Sequence, residues 1–135
     1  MLPISASFWR GRWAVVAGGL VLTACGGKGL TQPPVHLTFA AVSAGYLYTC
    51  GLTTAGVAYC WGFNSIGQLG DGTTTDRASP VLVGGGLSFA AVSTGSGHNC
   101  GLTTVGAVYC WGGNLHGQLG DGTTTDRSSP VPVVQ

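Results

Sequence analysis

Cys100–Arg127 reads CGLTTVGAVYCWGGNLHGQLGDGTTTDR, and Cys50–Arg77 reads CGLTTAGVAYCWGFNSIGQLGDGTTTDR. Extended outward from these stretches, Leu37–Gly85 and Leu87–Gln135 agree at about two residues in three. A fixed period of about fifty residues marks a repeat architecture in which each unit is one supersecondary block. Thr, Val, Tyr and Trp stand between glycines with no helical periodicity, so each unit reads as strands and tight turns. The expected fold is all-β: two four-stranded antiparallel propeller blades, over residues 37–86 and 87–135. In the second unit the strands fall on Phe89–Thr94, His98–Thr103, Ala107–Trp111 and Pro130–Val133. Pro34–Leu37 reads as a stray outer strand, since Pro34-Val35 resembles Pro80-Val81 and Pro130-Val131.

The turn Thr104-Val105-Gly106 sets the register. A two-residue type I′ turn would put the β-branched Val105 at positive φ, whereas a three-residue turn gives the left-handed position to Gly106. Leu102 then faces Val108, Cys100 faces Cys110, and Gly101 lies opposite Tyr109, leaving space for its ring. The same reasoning around Thr54-Ala55-Gly56 pairs Cys50 with Cys60. Paired cysteines in an exported chain oxidise, and a loop of this size contributes about 3 kcal/mol or slightly less. A zinc site draws ligand pairs two to four residues apart, a spacing these cysteines lack.

The segment HNCGLTTVGAVYCWG followed by GQLGDG resembles the regulator of chromosome condensation repeat, a family that builds seven-bladed β-propellers. The resemblance covers Leu37 to the end. It implies structural roles for Trp61, Gly67, Gln68, Leu69 and Gly70, and for their counterparts Trp111, Gly117, Gln118, Leu119 and Gly120. Gln68 and Gln118 can bond loop backbone with both amide groups. Leu69 and Leu119 would plug the space between blades. The aspartates of each loop offer too few oxygens for calcium, and an Asp76–Arg77 or Asp126–Arg127 surface pair is expected instead. His98 matches a histidine of the family pattern, but Tyr48 stands there in the first repeat. His36 and His116 are likewise unrepeated and read as structural.

Residues 1–24 read as an export signal: Arg10 and Arg12 precede an apolar run over Trp13–Leu22, too short to cross a bilayer. Leu22-Thr23-Ala24-Cys25 resembles the bacterial lipobox, which makes Cys25 the lipidated first residue of the mature chain. Cysteine arithmetic agrees, because Cys25 is the odd one of five. Residues 25–36 form a flexible tether; Gly26-Gly27-Lys28-Gly29 lacks the spacing and hydroxyl residue of a phosphate loop. From Cys25 onward, Lys28, Arg77 and Arg127 stand against Asp71, Asp76, Asp121 and Asp126. A surface with no basic stripe disfavours nucleic acid as a partner.

No glutamate occurs, no Gly-x-Ser-x-Gly elbow exists, and no cofactor or metal is expected. The expected function is a non-enzymatic protein-binding or scaffolding module, lipid-anchored to a bacterial membrane, cell envelope or surface. Guanine-nucleotide exchange, which the resemblance implies, needs a partner on the other side of that membrane. A cell-envelope enzyme lacks candidate residues. Two blades cannot close a seven-bladed ring, so the chain reads as part of a longer propeller, with a homo-oligomer as another way to complete one.

Overall fold

Each repeat is built on the hairpin that its turn demands. In the computed structural model, which describes residues 36–134, Gly56 and Gly106 take φ of 77° and 86°, and neither Ala55 nor Val105 is forced there. Thr53 and Thr103 close these turns from the side, accepting the amides of Val57 and Ala107 on their hydroxyls. The resulting register pairs Cys50 with Cys60 and Cys100 with Cys110, as the turn argument requires. Disulfides join both pairs.

The first sheet runs β1 (Phe39–Ala44), β2 (Tyr48–Thr53), β3 (Ala58–Gly62) and β4 (Arg77–Leu82) in simple antiparallel order. The second repeats it as β5 (Phe89–Thr94), β6 (His98–Thr103), β7 (Val108–Gly112) and β8 (Arg127–Pro132). The outer strands begin earlier than expected, at Arg127 rather than Pro130. A bulge between Cys110 and Gly112 lets Gly112 pair with Arg127, and proline is tolerated because the strand lies at the sheet edge. Each sheet takes its fourth strand from its own repeat, so no stray strand is needed. His36 and Leu37 are not in a strand, while Pro34, Val35, the segment 1–24 expected to be an export signal, and Cys25 lie outside the described residues.

The space over Gly101 is filled by Phe89, not Tyr109, and that over Gly51 by Phe39. Irregularities between Phe39 and Ala41, and between Phe89 and Ala91, turn each phenylalanine onto the glycine face of its sheet. There Phe89 stacks at 5.8 Å on Trp111, and Phe39 at 5.7 Å on Trp61. Every blade therefore has an aromatic face and a disulfide face. The core lies where the disulfide face of blade one meets the aromatic face of blade two: Tyr48, Cys50, Leu52, Ala58 and Cys60 cluster with Phe89 and Trp111. The Cys50–Cys60 bond thus staples a hairpin and also lends apolar surface to the junction.

Candidate functional site

Two constructions carry the chemistry of this chain: the loop that follows β3 and β7, and the junction that the first of these loops makes with blade two. In the first loop Asn64 is fully buried. Its Nδ2 donates to the carbonyls of Thr73 and Thr75, both at 3.0 Å, while Oδ1 accepts the amide of Leu69 at 2.9 Å. Asn114 repeats every bond with Thr123, Thr125 and Leu119. These asparagines bridge the loop. The glutamines do less than the sequence suggested, with Oε1 of Gln68 and Gln118 accepting the amides of Ile66 and His116.

The carboxylates are also shared out differently. Arg77 pairs with Asp71 at 2.9 Å and Arg127 with Asp121 at 2.7 Å, not with the adjacent Asp76 and Asp126. Asp76 and Asp126 stay exposed and use Oδ1 to accept the main-chain amides of Asn64 and Asn114, at 2.8 and 2.7 Å. The Thr123 hydroxyl and Arg127 hold the Asp121 carboxyl down at about 2. Burial would raise Asp71, but hydrogen bonds from Thr73 and Arg77 outweigh it and leave it lowered. Among the described residues no three His, Cys, Asp or Glu side chains converge as metal ligands would.

At the junction, the main-chain carbonyl of Gln68 accepts both Asn99 Nδ2, at 2.6 Å, and the Trp111 indole N–H, at 3.2 Å. Tyr48 crosses the other way: its hydroxyl lies 2.9 Å from the His98 carbonyl and 3.0 Å from Asn99 Oδ1. Burial pushes that phenol up to about 12. Ser43 and Thr94 exchange a hydroxyl bond at 2.8 Å, and backbone bonds run from Gly72 N to Ser128 O and from Phe89 N to Gly56 O. Leu69 belongs to this buried cluster. Leu119 is fully buried too, with no third blade packed against it among the described residues. It is a plug for its own loop, drawn in by Asn114, rather than one that needs a neighbour.

The remaining motif residues divide by position. Gly67, Gln68, Gly70 and Trp111 are buried at the junction, whereas Gly117, Gly120 and Trp61 are partly open and Gln118 is exposed. At the loop end of the blades, Tyr46, Leu47 and Phe63 stand out on repeat one and Leu115 on repeat two. Leu47 holds φ at 61°, the one non-glycine residue in the left-handed region among those described. Its carbonyl accepts the amide of Phe63 at 2.9 Å, so the two are fastened together. In repeat two the corresponding Gly97 and Gly113 floor an open cleft of about 370 Å³ that also involves Ile66, His98, His116 and Asp126.

A family model of the regulator of chromosome condensation (RCC1) repeat matches residues 55–102 and 105–135, and a second model of that repeat matches 39–68 and 89–118. The chain belongs to the regulator of chromosome condensation repeat family. Among curated members of comparable sequence, the ultraviolet-B receptor UVR8 of Arabidopsis thaliana is 45% identical over 42 residues, or 31% of this chain and 10% of the receptor. The human E3 ubiquitin-protein ligase HERC2 is 35% identical over 65 residues, or 48% of this chain and 1% of the ligase. The chain therefore spans a tenth or less of these relatives. Two solved structures share the fold of its RCC1 repeats. Prp20p of Saccharomyces cerevisiae gives a TM-score of 0.66 at 20% identity, over 76% of this chain and 27% of that one. Human WBSCR16 gives 0.64 at 24%, over 72% and 26%.

The junction residues Asn99 and Tyr48, and the bridging Asn64 and Asn114, are missed by motif reading. Asn64 and Asn114 did leave a signal: they are identical between repeats while their neighbours Phe63/Gly113 and Ser65/Leu115 differ. Asn99 and Tyr48 leave none, because the partner position in the other repeat is Thr49 or His98.

Proposed function

We propose that this chain is a non-enzymatic protein-binding or scaffolding module, held at a bacterial membrane through a lipid on Cys25, and that its two blades form part of a longer propeller, which further blades of the same kind complete at the open faces. The observation that carries the binding role is the apolar loop end, where Tyr46, Leu47 and Phe63 are all exposed and Leu47, in the left-handed region, is fastened through its carbonyl to the amide of Phe63. Strain of this kind is kept where the surroundings over-determine it, and exposed apolar clusters mark contact sites. The polar loops beneath are consumed by their own hydrogen bonds, which suits a rigid platform better than a reactive one. Solved relatives give the role precedent: Prp20p was crystallised in a study of its binding to Gsp1p and histones, and also bound to Kap60.

A photo-crosslinking amino acid at Phe63 should trap one discrete protein, other than a second copy of this chain, in intact cells. The same probe at Val105, on the turn at the opposite end of the sheet, should trap none. Equal trapping at both positions, or none at Phe63, would count against the reading. Metabolic labelling with a fatty acid should mark the natural chain and spare Cys25→Ala.

A further inference from the structure

The two outer faces of this pair are the two halves of the junction between them. The open face of blade two carries the Cys100–Cys110 disulfide with Leu102 and Val108, counterparts of the Cys50, Leu52 and Ala58 surface that is buried inside. The open face of blade one carries Phe39, Val42 and Trp61, counterparts of Phe89, Val92 and Trp111. The Gln118 carbonyl occupies the place of the one that serves Trp111, and Trp61 presents an indole N–H of the kind it would receive. We propose that copies of this chain associate head-to-tail, blade two of one against blade one of the next, by repeating the internal junction.

The main-chain part of that junction carries over without change. Gly122 N would meet Ala78 O as Gly72 N meets Ser128 O, and Phe39 N would meet Gly106 O as Phe89 N meets Gly56 O. The side-chain part does not. Ala44 replaces the hydroxyl of Thr94, and Thr49 replaces the amide of Asn99. Leu47 and Phe63 stand where Gly97 and Gly113 let Ile66 approach so closely that a Cβ on either glycine would lie 2.9 Å from its Cδ1. The contact between copies is therefore the same in plan and weaker than the one within a chain. Because its two surfaces differ, it is heterologous and builds chains or rings rather than closed pairs.

Strand alternation supplies a test in the full chain as exported by cells. Ser43 and Thr94 touch across the internal junction, so Ser93 of one copy and Ala44 of the next should touch between copies. Within one chain Ala44 and Ser93 lie on opposite outer faces, and both are exposed. Ala44→Cys with Ser93→Cys should give a reducible ladder of dimers and higher multimers on a non-reducing gel, which neither single variant gives. Adding Leu102→Asp should cut the ladder at least severalfold, and adding Leu47→Gly with Phe63→Gly should raise it. No ladder beyond that of the single variants, or a ladder that ignores these additions, would overturn the proposal.

Discussion

In the first repeat β2 buries Tyr48, Cys50 and Leu52; in the second, β6 buries Asn99, Gly101 and Thr103. The strands have nearly the same sequence, the same register and the same disulfide, yet opposite faces are covered. Leu52 is 7% exposed and Leu102 43%. A strand alternates sides with period two, so one sequence carries two usable faces, and position in the array decides which one is satisfied. A residue's role in such a protein is accordingly a property of its repeat and of the neighbour together.

Substitutions should separate the repeats in order of how much junction they remove. Leu52→Asp would place a carboxylate inside the junction and should cost more than about 4 kcal/mol in chemical denaturation, or abolish folding. Leu102→Asp faces water within one copy and, measured at a dilution that keeps copies apart, should stay within about 0.5 kcal/mol. If the two variants lose similar stability, the assignment of faces is wrong. Next, Trp111→Ala removes a fully buried indole and should cost about 3–5 kcal/mol, against clearly less for the half-open Trp61→Ala. Asn64→Ala and Asn114→Ala serve as the balancing pair. Both bridge loops within their own repeat, so each should cost about 2–3 kcal/mol, and a large difference would mean that the loops depend on the junction.

The smallest effect is on pH. Burial raises the Tyr48 phenol from 10.0 to about 12, so the folded state holds its proton where the unfolded chain releases it. That contribution is whole below pH 10 and is lost as pH rises from 10 through about 12. Ultraviolet titration should show a late-ionising tyrosine that the Tyr48→Phe variant lacks. A natural chain whose tyrosines all ionise near the ordinary value would show Tyr48 to be outside the junction.

Much of this architecture is legible in the sequence because a few residues have no alternative. Val105 rules out one turn, that turn fixes a register, and the register brings the cysteines together. The misreadings fall where a strand departs from regularity. Irregular pairing beside Phe39 and Phe89 puts those rings over the glycines, where the register alone predicts Tyr109 over Gly101, and bulges at the ends of β3 and β7 start the outer strands at Arg77 and Arg127. The arginines choose Asp71 and Asp121 because loop folding, invisible to sequence spacing, brings six-residue neighbours into reach. The junction's polar half was hidden for a different reason. A bond such as that from Asn99 to the Gln68 carbonyl exists in one copy only, so comparing the repeats gives no hint of it.

The central claim is that the Gln68 carbonyl and blade one enclose Trp111 while the matching Trp61 is left open. Indole N–H exchange with deuterated water, followed by nuclear magnetic resonance in a Leu102→Asp background that keeps copies apart, tests it directly. The Trp111 signal should persist long after the Trp61 signal has gone, and the Asn99→Ala variant should narrow the gap. Equal exchange at the two indoles would contradict the account.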